Sequence, residues 1–403
     1  MQLLLTEILN LPGIEVEDYT DVAGQLILAV EARATEAICP RCQQTSHHLH
    51  QNHWYLARDL SISGQSVFLK INRRQFKCQT CGKPFSETLN FIGNRRKQTD
   101  RFAQSIVQQV LHSDIHNVAL VNDLTDDEVW SMVQYISKKK LNVDVSSLKR
   151  LGIDEIALRK GQGDYIVVLV DLERRVPLGF APSRKQEDVR QVLEGWGAAV
   201  LGQIVEVSID LSGNYKGLVH KLLPNATVVA DRFHVMKIVN QDLDTALKTL
   251  CKANEQTVDE VEKARIAAAL KQSKYALLKP EANLTQKQKV KLEEIREVLP
   301  DLAQMHQQKE AFRAIFEQAK DWGDGTFQLL DWLAQAQASF QESVGTICRW
   351  FGEVTAYFDN RTTSGVVEGI NNKLKLIKRS GYGFRNFDNF QLRCLICWHL
   401  AID

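Results

Sequence analysis

Two kinds of residue in this chain could do chemistry beyond folding: paired cysteines and isolated carboxylates. Cys39-Pro40-Arg41-Cys42 and Cys78-Gln79-Thr80-Cys81 form two tight-turn knuckles with 35 residues between them. Four thiolates paired in this way make a closed tetrahedral shell for one structural Zn²⁺ and leave no position open for catalysis. His47, His48, His50 and His53 lie between the knuckles; a four-sulfur shell needs none of them, so they read as surface residues. A third pair, Cys394 and Cys397, sits in the apolar stretch QLRCLICWHL and reads as buried small side chains.

The carboxylates that stand out are Asp154 in LGIDEIAL, Asp210 at the end of VEVSID, Asp231 at the end of ATVVAD and Glu368 in VVEGINNKLKLIKR. His234 follows Asp231 at Asp-x-x-His spacing. Side chains at strand ends point into the crevice where open α/β sheets bind ligands. A set of hard oxygen ligands there is what two divalent ions about 4 Å apart need for phosphodiester chemistry. Asn372, Lys375 and Arg379 follow Glu368 at helical spacing, which sets a cationic face beside the acid and suits a phosphate backbone. Any one of these acids alone would read as a solvated charge; the argument rests on their placement together.

The elements that must position them change character along the chain. Residues 1–92 alternate apolar and polar residues with β-branched and aromatic types, as strands and turns do. Residues 93–147 carry three short helical patterns, the size of a helix-turn-helix, the last opened by the capping box Thr125-x-x-Glu128. That third helix begins Asp126-Asp127-Glu128, which would repel phosphates if it read DNA from that end. Residues 148–241 follow the order β-β-β-α-β-α-β-α, a mixed sheet that opens as a meander. Residues 242–359 read as helix throughout, with Leu292, Ile295, Val298 and Leu302 on one stripe and Ile347, Trp350, Phe351, Val354 and Phe358 on another. Residues 360–403 give two helices joined by the turn Ser380-Gly381-Tyr382-Gly383, with Glu368 on the first.

Composition sets the outer bounds. A chain of 403 residues, 44% hydrophobic and 25% charged, is that of a globular protein of two to four domains. It has no apolar run of membrane-spanning length, and its start lacks a basic signal-peptide region, so a cytoplasmic location is expected and no membrane partner. The net charge is only +1, but nine basic and two acidic residues lie between Lys70 and Arg101, and five basic residues with no acid between Gly369 and Arg385. Such islands fit phosphate contacts, although charge alone does not separate them from a solvated basic face. Arg73, Arg74, Lys77, Arg95, Arg96 and Lys97 are the candidates in the first island.

The stretches RRQFKCQTCGKPFSE, LGIDEIALRKG, VSIDLSGNYKGLVHKLLPNATVVADRFHV and TTSGVVEGINNKLKLIKRSGYGFRNFDNFQLR, spread over the whole chain, resemble those of DDE transposases of the ISL-three insertion-sequence family. The resemblance implies a ribonuclease H-like α/β catalytic domain with an all-helical insertion, preceded by a zinc ribbon and a helix-turn-helix-like module. It implies Asp154, Asp210 and Glu368 as catalytic ligands of two Mg²⁺ ions, one structural Zn²⁺, and Asp231 with His234 supporting the site from behind. The partner it implies is double-stranded DNA, as element ends and target, bound by a homodimer or larger assembly near the nucleoid, with no small-molecule substrate. The 157 residues between Asp210 and Glu368 agree with an insertion. Trp322 and Trp332, within it, read as core residues or as stacking platforms for an extruded base. Two other readings use the same residues: a DNA-binding regulator without chemistry, which would not need the strand-end acids, and a structure-specific nuclease, which would cut without joining.

Overall fold

The computed structural model describes residues 2–158, 163–361, 365–381, 384 and 386–400. The chain divides into two compact units, residues 1–142 with 399–403, and residues 143–398.

In the first unit, helix α1 (Gln2–Leu9) precedes a four-stranded sheet of order β1-β2-β7-β6, where β1 is Ile14–Val22, β2 Gln25–Ala32, β6 Trp54–Ile62 and β7 Gln65–Asn72. Its alternation buries Leu28, Val30, Ala57, Val67, Leu69 and Ile71 on one face. The zinc-ribbon region hangs between and after these strands on short pairs: β3 (Ala37–Ile38) with β4 (Thr45–Ser46), and β5 (Leu49–Gln51) with β8 (Gln75–Lys77) and β9 (Pro84–Ser86). Three helices follow, α2 (Asp100–His112), α3 (Ile115–Val121) and α4 (Asp126–Lys140). The capping box at Thr125 and Glu128 forms as expected. It accounts for one of the three acids at the start of α4, and Asp126 pairs with His116 at 3.2 Å.

In the second unit, β10 (Arg150–Ala157), β11 (Tyr165–Asp171) and β12 (Val176–Ala181) form the antiparallel meander. The strands β13 (Glu206–Ile209) and β14 (Thr227–Ala230) then add in parallel on the other side of β10, giving the order β12-β11-β10-β13-β14. The crossover to β13 is two helices, α5 (Gln186–Glu194) and α6 (Ala198–Gln203), where the sequence pattern suggests one. The break is Gly195-Trp196-Gly197, with Gly197 at φ 87°, a conformation open to glycine. Helix α7 (Gly213–Leu222) links β13 to β14, and α8 (Arg232–Glu255) leaves the end of β14.

The helical block comprises α9 (Glu260–Leu270), α10 (Lys274–Leu278), α11 (Gln286–Val298), α12 (Pro300–Gln318), α13 (Trp322–Ala336), α14 (Gln341–Arg349), α15 (Phe351–Thr355) and α16 (Tyr357–Asn360). Two stripes expected on single helices are broken. Leu302 lies on α12, because Pro300 disfavours helix at Leu299 and starts a new one at its own position. The stripe from Ile347 to Phe358 is divided at Trp350 and Ala356. The boundary expected at residue 242 falls inside α8, and one apolar core runs without interruption from the sheet into the block. The chain closes with α17 (Gly365–Ser380) and α18 (Phe387–His399); the turn expected at Ser380–Gly383 lies partly outside the described residues.

Candidate functional site

The metal centre of the first unit is built by two short hairpins. The backbone N–H of Gln43 bonds the Cys39 carbonyl and that of Gly82 the Cys78 carbonyl, each at 2.9 Å, which folds each knuckle back on itself. The four sulfurs of Cys39, Cys42, Cys78 and Cys81 lie within 4.8 Å of one another, with Cys39 to Cys81 at 3.8 Å and Cys42 to Cys78 at 3.4 Å. A tetrahedral ion with metal–sulfur bonds of about 2.3 Å requires sulfurs roughly 3.8 Å apart, so the cage has the dimensions of a zinc site. The Cys81 backbone N–H and the neighbouring thiols pull Cys78 down to about 6, while at Cys42 the pull of the Gln44 backbone is outweighed by the Cys78 sulfur and burial, which push it up to about 11, so the two share the proton unevenly. Among the described residues this is the only group of three or more His, Cys, Asp or Glu whose ligand atoms converge so closely.

The basic residues of this unit separate into two kinds. Arg74 is buried, bonded through Nε and Nη2 to Glu87 and through Nη2 to the Ala34 carbonyl at 2.6 Å. Its guanidinium holds the fold together and is not presented to a phosphate, contrary to the expectation from charge alone. Arg73 is partly buried and reaches Asn94 at 3.1 Å. Lys77, Arg95 and Lys97 are exposed. Arg96 lies 4.2 Å from the Tyr135 ring centroid and donates to Ser131 at 2.8 Å, and with Asn94, Lys138 and Lys139 it lines a cavity of about 550 Å³. The lysines at the end of α4 therefore stand beside the 95–97 linker, while the acids occupy the other end of the helix.

In the second unit, strand register does the positioning. Gly152 pairs with Ser208, and Ile209 with Ala230. Continuing both registers sets Asp154, within β10, level with Asp210 and Asp231, which follow directly on β13 and β14, neighbouring strands being about 4.8 Å apart in the hydrogen-bonding direction. Each is locally constrained. Asp154 accepts from the Glu155 N–H at 2.7 Å. Asp210 accepts from the N–H and hydroxyl of Ser212 at 3.0 and 2.6 Å. Asp231 caps α8 through the Phe233 N–H at 2.7 Å and holds His234 Nδ1 at 3.0 Å. Burial lowers the His234 pKa, but the Asp231 bond and the charges of Asp231, Asp154 and Asp210 outweigh it, and the imidazole stays protonated to higher pH than usual. Burial raises Asp154, against the pull of the Glu155 N–H, His234 and Asn371.

Helix α17 lies along β10. Gly152 has no Cβ, and one built there would meet Leu172 at 2.8 Å and Val367 at 3.2 Å, so the glycine admits the helix. Asn371 Nδ2 donates to Asp154 Oδ2 at 2.6 Å, and Lys378 Nζ donates to the Ala157 carbonyl at 2.8 Å. From Val367 to Lys378 a helix advances about 16 Å, the same as the strand from Gly152 to Ala157. Helix and strand therefore run in step. Glu368 sits at the start of this contact, exposed, on a cavity wall shared with Arg232, Phe233 and Met236. Asn372, Lys375 and Arg379 are exposed on α17. The residue that reaches the strand is the adjacent Asn371, buried to 6% exposure. Sequence spacing alone does not choose between i+3 and i+4 from Glu368; Asn371 is picked out by the apolar phase of the helix, Val367, Ile370, Leu374 and Ile377.

Glu155 points away, accepting from Tyr215 at 2.6 Å, as strand alternation requires. Asp171 is buried in its own turn, bonded to the Glu173 and Arg174 N–H groups. Trp332 is core, packed 4.4 Å from the Phe312 ring centroid, with its Nε1 donating to the Gln308 carbonyl; Trp322 is half exposed. Cys394 is buried and Cys397 partly so.

A cysteine ribbon, a three-helix module and an acid-edged α/β unit, in that order, are the parts of a transposase. A family model for the ISL3-type transposase matches residues 151–394. The zinc-finger model of the transposases IS204/IS1001/IS1096/IS1165 matches residues 35–81, and the helix-turn-helix model of transposase family ISL3 matches 87–137. The transposase of insertion sequence element IS1001 from Bordetella parapertussis is 28% identical over 392 residues, 94% of each chain. That of IS1557 from Mycobacterium tuberculosis is 28% identical over 261 residues, 60% of this chain and 58% of its own. The chain belongs to the ISL3 family of transposases. No helix among the described residues is long and apolar enough to cross a membrane.

Proposed function

We propose that the second unit is a ribonuclease H-like catalytic domain in which Asp154, Asp210 and Glu368 hold two Mg²⁺ ions for cleavage of the element ends and transfer of the freed strand. The observation that carries this reading is the level placement of Asp154 and Asp210 on adjacent parallel strands, with α17 seated in step along the first of them. The donor set fits the metal: the acids are hard oxygen ligands, and the buried Oδ1 of Asn371 has no hydrogen-bond partner among the described residues, beside the Asp154 carboxylate. Bound magnesium supplies Lewis acidity at the phosphate and a more acidic attacking water. The chain's own part is to hold the ligands. Asn371 fixes the rotation of the Asp154 carboxylate, Ser212 that of Asp210, and His234, whose charged form the neighbouring acids favour, offsets their crowding. Glu368 is the remaining carboxylate, brought to the edge by the close seat of Val367 on Gly152.

DNA is gripped through the zinc ribbon and the adjoining module, by Arg73, Lys77, Arg95, Arg96 and Lys97 joined by Lys138 and Lys139, and beside the active site by Asn372, Lys375 and Arg379, mostly at phosphates. Two ends must be cut and joined in concert, so the working form is a dimer or larger assembly on DNA. The test is cleavage and strand transfer on duplexes carrying the ends of the encoding element. Asp154→Asn, Asp210→Asn and Glu368→Gln each abolish both reactions and leave end binding nearly intact. Full cleavage by any of the three ends the assignment of that residue, and cleavage without joining by the wild-type chain identifies a nuclease instead.

A further inference from the structure

A cavity of about 570 Å³ adjoins the carboxylate edge, within the size range of about 300–1,000 Å³ typical of ligand sites. One wall is a single face of α8, on which Phe233, Met236, Lys237 and Asn240 follow at i, i+3, i+4 and i+7; Pro280 stands on another wall and Glu368 on the side of α17. Two features there stand out, although the Phe233 ring also meets His234 edge-on at 5.6 Å between centroids. The ring of Phe233 is 50% exposed, although it lies between Asp231 and His234 in sequence and could have been any polar residue. The Oδ1 of Asn240 is buried and has no hydrogen-bond partner among the described residues. An exposed ring, an amide side chain on the wall and a cation at the rim form a set that matches a nucleotide: a flat π face, a hydrogen-bonding edge and a phosphate.

We propose that this cavity receives one nucleobase unstacked from the DNA strand beside the scissile phosphate. Phe233 stacks on the base, Asn240 stands on the wall beside its hydrogen-bonding edge, and Lys237 meets the adjoining phosphate. Extrusion costs pairing and stacking, which the new stack offsets, and it clears the strand for approach to Glu368. The inference rests on the catalytic reading of Asp154, Asp210 and Glu368.

The experiment measures Mg²⁺-dependent cleavage of end duplexes by the wild type, Phe233→Ala and Phe233→Tyr. The substrates are the intact duplex and a series in which a single mismatch is stepped through the nucleotides flanking the cut. Phe233→Ala is expected to slow cleavage of the intact duplex by about five- to a hundred-fold, the worth of one base–aromatic stack. Phe233→Tyr restores the rate, and so does a mismatch at one position for Phe233→Ala, because unpairing is then already done. Asn240→Ala shifts the preference among bases at that position. Equal slowing of Phe233→Ala on every duplex, or no slowing, overturns this inference alone. A wild-type chain that cleaves no duplex overturns the catalytic reading and this inference with it.

Discussion

At the scale of single residues, the chain spends buried polar groups in two ways. Arg74 is matched donor for acceptor by Glu87 and Ala34; Asn371 is matched on its nitrogen and left open on its oxygen. An unmatched buried amide oxygen costs about 1–3 kcal/mol, a cost that a ligand at the Asp154 edge would remove. Asn371→Leu is therefore expected to weaken Mn²⁺ binding by roughly ten- to a hundred-fold, as loss of a group that orients a metal ligand does, read by titration of the wild-type and variant chains in the absence of DNA. Unchanged Mn²⁺ affinity in a folded Asn371→Leu chain would remove Asn371 from the site. The cysteine cage makes a separate prediction. The purified chain carries about one zinc per molecule by elemental analysis, and Cys78→Ala loses it and unfolds the ribbon, since structural zinc binding is largely folding free energy. A folded chain with no zinc would contradict this.

At the scale of elements, the strands of the second unit and their succession along the chain were legible because each is an apolar run closed by a turn residue or an acid, and because Asp210 and Asp231 close β13 and β14. The four cysteines were legible from spacing. What was not legible depends on phase and on tertiary packing. Asn371 and Asn372 differ by 100° of helix rotation, and only the apolar phase of α17 tells which one faces the strand. The burial of Arg74 needed its partner Glu87, 13 residues away on the far side of the second knuckle. The helical block adds a prediction of its own. His306 on α12 is buried to 1% exposure, and burial followed by the charge of Lys309 pushes its pKa down to about 4. An unfolded histidine titrates near 6.5, so between about pH 6.5 and 4 the unfolded state holds the extra proton. Stability contributed by neutral His306 is therefore whole above that window and is lost as the pH falls through it, by roughly 2–4 kcal/mol at the acid end. His306→Gln should flatten the pH dependence of thermal unfolding across this window by that amount; parallel pH profiles for the two chains would refute the assignment.

At the scale of the whole second unit, sheet and helical block share one apolar core, and a single element spans the two. Helix α8 begins at the Asp231 cap and runs 24 residues, about 36 Å, into the block. It is tied there by Asp242, which accepts from the N–H and hydroxyl of Ser343 at 3.0 and 2.8 Å. An uninterrupted helix has no slack: removing one residue turns everything beyond it by about 100° and draws it in by 1.5 Å. The block is thus not a cassette that can be cut out at residue 242 and exchanged. A chimaera joined there will fold only when the incoming helix arrives in phase. Adding seven residues restores the phase to within about 20° but lengthens the shaft by about 10 Å, so with sheet and block sharing one core it should be tolerated no better than adding or deleting one. Soluble expression and thermal unfolding of such a length series would measure this. Among related transposases, differences in length should accordingly collect in the connections between helices, such as residues 256–259, and spare the shaft itself.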